Sequence, residues 1–290
     1  MTRTPIRPPV AFPAATDLVM FWNLYEAGIE RLDGHDERWL AQCALVTSHR
    51  PAVLLTTEGW GWHLDGGALF EDAKAGFGMN GALFPARTGC HLAVFWRPDV
   101  RVLHVDRLPH EPAHWHGHGL ATLGLPGWTT PVRFLVAHLD PYSPTGRRIE
   151  ADHLRHHADP ALPPLVVGVD ANCVPPGDRE PDWSRVPRHR RDDHLDADGR
   201  ADRTPLRSLL GDPSDPLLVD AAAHLGDRTP TYGQFLPGEA ERRIDLLLLS
   251  PSLVGDLVAY RALDPRPEPL GDGRPPASDH RPVTIRLRRR

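Results

Sequence analysis

LVVGVDAN, residues 165 to 172, is an apolar run that stops at an acid: Leu165, Val166, Val167, Gly168 and Val169 lead directly to Asp170, Ala171 and Asn172. A run this short cannot make a helix of ordinary length, and its lack of polar alternation marks a strand covered on both faces. The same design recurs along the chain. Leu18-Val19-Met20-Phe21-Trp22 meets Asn23, Ala52-Val53-Leu54-Leu55 leads to Glu58, Val132 to Ala137 runs into His138, and Ile244 to Leu249 encloses Asp245. Strand tips are rigid places from which to present a reactive side chain, so the pattern predicts buried sheets with their chemistry at the ends.

Helical spacing appears between these runs, over Glu37 to Ser48 and Gly146 to His157. The first predicts a buried stripe of Trp39, Leu40, Cys43, Ala44 and Leu45. Thr88 to Val105 alternates through Leu92, Val94, Trp96, Val100 and Val102, which reads as a hairpin turned at Arg97-Pro98-Asp99 and implies antiparallel pairing. Residues 175 to 205 carry many charges and no apolar period, so they read as a long loop or lid. The 32 prolines and 25 glycines imply short elements with stiff connections, and no Gly/Ser linker divides the 290 residues, which predicts one catalytic domain over residues 1–290 with an extended segment at 1–16.

The formal charge of -5 speaks against a broad cationic face for nucleic acid, although a local basic groove is compatible with it. Lys74 is the only lysine, so the basic charge is almost entirely arginine, which suits bidentate phosphate contacts. Cys43, Cys90 and Cys173 are odd in number and scattered, against a disulfide framework. No secretory signal is legible at the N-terminus, and no stretch approaches the roughly 20 apolar residues needed to span a bilayer. A cytoplasmic protein with no membrane span and no obligate protein partner is expected.

In chain order the polar signatures are Trp22-Asn23, Thr57-Glu58, Ala137-His138-Leu139, Val169-Asp170-Ala171-Asn172, Arg243-Ile244-Asp245 and Ser278-Asp279-His280-Arg281-Pro282. Asp-x-Asn after a strand is weak alone. Arg-Ile-Asp followed by a terminal Ser-Asp-His-Arg-Pro is specific, and the order of all six resembles the endonuclease/exonuclease/phosphatase superfamily of metal-dependent phosphoesterases over about residues 18 to 287. Thr229-Pro230-Thr231-Tyr232 is similar to the Thr-aromatic element that precedes the family's Arg-Ile-Asp, whereas Ala137 departs from its usual Thr before the histidine. The resemblance implies an α/β fold, a four-layer αββα sandwich of two packed, largely antiparallel mixed sheets with flanking helices.

The resemblance also implies roles. Glu58, Asn23 and Asp279 would hold Mg²⁺ or Mn²⁺ through hard oxygen ligands. Asp170 would orient or deprotonate the attacking water, Asn172 would hold the water or the phosphate, and His138 would stabilise a phosphate oxygen. His280 would be a general acid/base or cationic clamp whose tautomer Asp245 fixes. Each has a plainer alternative: Asn23 as a turn-forming side chain, Asp170 as the head of an Asx-turn, His138 as a core cap, and Asp279-His280 as a solvated pair in a C-terminal turn. Trp60 and Trp62 either stack a base or sugar near the metal or pack their loop.

The histidines at 104, 110, 114, 116 and 118 suggest transition-metal binding. Lacking a helical i, i+4 pair or a supporting carboxylate, the segment reads better as a Pro/Gly-rich loop. The function expected is hydrolysis of a phosphate ester, of the phosphodiesterase or nuclease type with nucleic acid as a candidate substrate. The alternatives are a small-molecule phosphatase acting on a nucleotide, lipid headgroup or metabolite, and an inactive binding module of the same fold.

Overall fold

The computed structural model describes residues 15–106, 113–265 and 277–290. In chain order its strands are β1 (Thr16–Ala27), β2 (Val53–Trp60), β3 (Asn80–Phe84), β4 (Cys90–Trp96), β5 (Arg101–Asp106), β6 (Gly117–Gly124), β7 (Val132–His138) and β8 (Leu165–Asp170). The short β9 (Gly211–Asp212), β10 (Asp215–Pro216) and β11 (Val219–Asp220) follow, then β12 (Asp245–Leu249), β13 (Leu257–Ala262) and β14 (Val283–Arg288). Helices α1 (Ile29–Leu32), α2 (Glu37–His49), α3 (Ala68–Phe77), α4 (Pro144–Leu154), α5 (Arg188–Arg191), α6 (Thr204–Leu210) and α7 (Ala221–His224) lie between them.

Two six-stranded sheets result, ordered β13-β14-β1-β2-β4-β3 and β11-β12-β8-β7-β6-β5. The pairs β1–β2 and β7–β8 are parallel and the other pairs antiparallel, so both sheets are mixed. Val19, Phe21, Leu55 and Val94 of the first sheet pack against Phe134, Val136, Val166 and Leu247 of the second. On the outer face of the first sheet, Met20, Trp22, Leu54 and Phe95 meet Trp39 and Val46 of α2 and Phe70 and Phe77 of α3. On the outer face of the second, Leu135, Val167, Val169 and Leu248 meet Ala151 and Leu154 of α4 and Leu206 and Leu209 of α6. The order of layers is therefore helix, sheet, sheet, helix, as expected.

Strand periodicity explains where the polar tips point. Side chains two apart share a face, and Val19, Phe21, Phe134, Val136, Val166 and Leu247 face the space between the sheets. Asn23, His138, Asp170 and Asp245 are the next members of those series, so each aims at the rim of the same inter-sheet core. Gly168 belongs to that series too, and a Cβ there would lie 2.7 Å from Phe21 Cδ2. The missing side chain lets the sheets approach where β8 crosses β1.

Two local expectations fail. β4 and β5 do not form a hairpin: β4 pairs with β2 and β3 in the first sheet, and β5 pairs with β6 in the second. The turn at Arg97, closed by Val100 N–H donating to Arg97 O at 3.0 Å, hands the chain from one sheet to the other, and buried Val100 joins the core between them. On α2, Leu40 is 63% exposed and Ala44 is exposed as well. The buried face is instead Trp39, Gln42, Leu45 and Val46, because Gln42 donates to the carbonyls of Leu24 and Ala277 at 2.7 Å each, so that a polar residue fills the stripe.

Candidate active site

The strand tips open on a cleft of about 320 Å³, whose walls include Glu58, His138, Asp170, Asn172, Asp279 and His280. Asn23 sits below it as a brace. Its Nδ2 donates to Glu58 Oε1 and to Asp170 Oδ2 at 2.9 Å each, and its Oδ1 accepts Tyr25 N–H at 2.9 Å. The other Glu58 oxygen, Oε2, accepts Glu26 N–H at 2.9 Å. One amide thus ties a carboxylate from each sheet into one assembly and braces Glu58.

His280 is anchored from three sides. Its Nδ1 lies 2.8 Å from Asp245 Oδ2, its N–H donates to Ser278 Oγ at 3.0 Å, and its carbonyl accepts Trp22 Nε1–H at 3.1 Å. Ser278 donates in turn to Asn23 O at 2.7 Å, fastening the C-terminal turn to β1. Burial alone would discharge this imidazole, but the carboxylates of Asp245 and Asp279 outweigh it and push the pKa up to about 10. His280 is therefore a cation at neutral pH. His138 is the opposite case, since burial and the nearby His280 push it down to about 3 and leave it neutral. Its Nε2 is 3.5 Å from Asp170 Oδ2.

Asp170 uses its two oxygens differently. Oδ1 accepts Asn172 N–H at 3.1 Å, which is the Asx-turn, while Oδ2 meets Asn23 and His138 in the site. Asn172 itself takes φ 47, so its side chain leaves the strand alternation and donates to Leu139 O at 2.9 Å while still lining the cleft. Six non-glycine residues among those described have positive φ, and four of them, Tyr25, Glu26, Glu58 and Asn172, line this cleft. Left-handed backbone in bulky residues costs about 1–3 kcal/mol each, and its concentration here marks a functional site.

The neighbours of Asp245 explain the Arg-Ile-Asp run. Thr231 Oγ1 accepts both Ile244 N–H and Asp245 N–H at 3.1 Å, which fixes the carboxylate's backbone. Arg243 points away from the cleft, where its guanidinium bridges Asp178 and Asp220 with contacts of 2.7 to 3.0 Å. It is an internal clamp on the loop over β12, and no phosphate ligand.

A hard divalent cation fits the Glu58–Asp279 side of the cleft. Asp279 Oδ1 is buried without a hydrogen-bond partner among the described residues, and burial pushes that carboxyl up to about 6. Glu58 is raised by burial as well. Acids gathered with an unmatched oxygen are short of positive charge, and oxygen donors of this kind suit Mg²⁺ or Mn²⁺.

Trp60 lines the cleft, whereas Trp62 is 1% exposed and packs on Phe70 and Phe95 behind it, so no ligand can stack on Trp62. Sequence reasoning missed other walls: Cys90, His116, Tyr142, Arg190, His194 and Arg242. Of the histidine-rich segment, His110 lies outside the described residues, but His116 is not part of an idle loop. β6 pairs with β7 through Gly117 and His138, which stacks the His116 ring on His138 at 4.2 Å. Residues 183–194 fold into short helical turns around Trp183 and Val186, and this insertion supplies Arg190 and His194 to the rim. Tyr232, part of the Thr-aromatic element, lies 4.6 Å from the His280 ring.

No protein-family model matches the chain, and no curated protein matches it significantly. Solved structures do. An endonuclease/exonuclease/phosphatase from Bacteroides vulgatus superposes with a TM-score of 0.67 at 15% identity, over 95% of this chain and 99% of the other. A humanized TDP2 from D. rerio gives 0.66 at 14% identity, over 94% and 98%. A mannosyl-6-phosphatase from Bacteroides thetaiotaomicron gives 0.63 at 16% identity, over 92% and 98%. The chain has the fold of the endonuclease/exonuclease/phosphatase superfamily.

Proposed function

We infer, from that superfamily fold built around this cleft, that the protein is a divalent-metal-dependent hydrolase of phosphate esters. The single observation that carries the reading is the meeting of Asp170, Asp245 and His280, from three distant parts of the chain, within 4.8 Å of one another beside Glu58 and Asp279. Glu58 and Asp279 would hold Mg²⁺ or Mn²⁺, which when bound supplies Lewis-acid neutralisation of the phosphoryl oxygens. Asn23 keeps Glu58 aimed.

The remaining steps belong to this chain's side chains. Asp170 accepts a proton from the attacking water as oxygen bonds to phosphorus and the ester oxygen departs. His280, cationic through Asp245, meets the charge that grows on the phosphoryl group, a role a neutral imidazole could not fill. Neutral His138 has a single N–H, which at Nε2 faces Asp170 and steadies the carboxylate that takes the proton. Asn172 and the half-buried Trp60 face whatever is attached to the phosphate.

A phosphodiesterase or nuclease-type activity is the form we favour, and a phosphomonoester or small metabolite ester is the second reading. The second draws support from the modest cleft and from the acids Glu26 and Asp193 along its walls, which disfavour a long polyanion. Hydrolysis of bis-nitrophenyl phosphate, plasmid DNA, single-stranded RNA and a panel of phosphomonoesters, each with Mg²⁺ or Mn²⁺, separates the two. Replacing His280 by Ala or Asp170 by Asn should lower kcat by about 10²–10⁴-fold with the fold retained. Unchanged turnover in either variant overturns the assignment.

A further inference from the structure

We propose that Cys90, His116 and His138 form a second metal site, for a borderline divalent ion such as Zn²⁺, and that filling it silences the cleft by capturing His138. One donor atom from each residue lies within 4.8 Å of the others, and all three side chains are buried. Cys90 Sγ and His138 Nδ1 are 3.7 Å apart. That is close to the ~3.6 Å edge of a tetrahedron built with Zn–S near 2.3 Å and Zn–N near 2.0 Å.

Imidazole ligands are usually steadied by an oxygen on the nitrogen that does not bind metal. Both rings have one: Asp170 Oδ2 is 3.5 Å from His138 Nε2, and Thr88 Oγ1 is 2.8 Å from His116 Nδ1. Thr88 also accepts Cys90 N–H at 3.4 Å, so the same hydroxyl helps to place two of the three ligands. Burial keeps His116 and His138 neutral, pushed down to about 2 and about 3, and their lone pairs are available at neutral pH.

The donor types separate this site from the Glu58–Asp279 side. Sulfur and imidazole nitrogen favour zinc and its neighbours, whereas carboxylate oxygen favours magnesium, so one cleft sorts two ions by hardness. All three residues line the cleft, which gives an ion a way in and leaves a fourth position for water. The ligands come from the start of β4, the residue before β6 and the end of β7, and a bound ion would pin the two sheets together at the cleft. Binding breaks the Cys90 S–H bond, forms the sulfur–metal bond and releases one proton to solvent. The two imidazoles, stacked at an interplanar angle of 21°, must turn out of their stack to converge on the ion.

Only the inhibitory half rests on the role of His138 given above. The test adds Co²⁺, a spectroscopic stand-in for Zn²⁺, to the metal-free full chain and to its Cys90→Ser and His116→Gln variants, with circular dichroism confirming their folds. Wild type should show thiolate-to-cobalt charge transfer in the near ultraviolet with the strong visible bands of a tetrahedral ion, both removed by added Zn²⁺. Cys90→Ser should lack the charge-transfer band. His116→Gln should bind more weakly by at least the ~10–100-fold that loss of a supporting contact alone costs. No such band in wild type, or the same band in Cys90→Ser, overturns the site, the latter pointing to Cys43 or Cys173.

In parallel, Zn²⁺ should inhibit Mg²⁺-supported hydrolysis by wild type, and each variant should need at least about tenfold more Zn²⁺ to lose the same fraction of its own zinc-free activity. Equal sensitivity of wild type and variants overturns the inhibitory half. If no phosphate ester is hydrolysed at all, the proposed function fails while the cobalt spectrum still decides the site.

Discussion

Asn23 makes three hydrogen bonds and lines no substrate surface, yet the geometry of Glu58 and Asp170 depends on it. Residues of this kind hold acids together against their mutual repulsion, and removing one acid relieves it. Glu58→Gln removes the charge but sets its NH₂ against Asn23 Nδ2–H or Glu26 N–H, so the metal-free variant is expected to fold without a gain in Tm and to lose most of the Tm rise that saturating Mg²⁺ gives wild type. For wild type that rise corresponds to about 2.7 kcal/mol at a hundredfold excess over Kd. Differential scanning calorimetry with and without Mg²⁺ measures both, and an undiminished metal response would remove Glu58 from the ion's surroundings. At this scale the sequence was informative wherever a polar residue ended an apolar strand, because strand parity then fixes its direction. It was silent on a role for Cys90, it weighed His116 as a metal ligand but set it down to a loop because its place in the cleft depends on contacts between sheets, and it was even-handed on Trp62, whose burial behind β2 follows from Phe70 and Phe95.

Strand β8 shows how an element's packing reaches the chemistry. Gly168 lies two residues before Asp170 and faces Phe21, two residues before Asn23, so a close approach of the two sheets lies directly beneath the Asn23–Asp170 hydrogen bond. Gly168→Ala puts a methyl 2.7 Å from Phe21 Cδ2 and should destabilise the protein by about 1–3 kcal/mol through overpacking. Turnover should fall as well, since parting the strands stretches the brace. Urea denaturation alongside kinetics would show it, and a neutral result would mean that Phe21 has room to move. The strands were legible as elements and their partners were not: the alternation that suggests a hairpin over Thr88 to Val105 is equally produced by two strands in different sheets. Gln42 interrupts the apolar stripe of α2 for a similar reason, because its partners Leu24 and Ala277 are remote in sequence.

Across the molecule, carboxylates held above their ordinary pKa extend beyond the cleft. Glu150 accepts Trp115 N–H and Asp140 N–H at 2.6 Å each, yet burial pushes it up to about 7. A carboxyl whose folded pKa exceeds its unfolded value near 4.5 favours the folded state at low pH and withdraws that support as pH rises through about 7. The stability advantage of wild type over Glu150→Gln should accordingly shrink as pH rises from about 4.5 to about 7, whatever the buried histidines add equally to both proteins; chemical denaturation at several pH values tests it, and a difference that does not change with pH would refute it. The four-layer architecture was readable before any coordinates because the six signatures fall in order, whereas the identity of the rim was not, since residues 183–194 fold around their own small cluster of Trp183 and Val186. β1 is flanked by β14, and Ser278 ties the turn before β14 to Asn23 at the end of β1. During folding β1 therefore keeps an open edge until β14 arrives, and the cleft can close only once Ser278 has met Asn23, 255 positions away in the sequence.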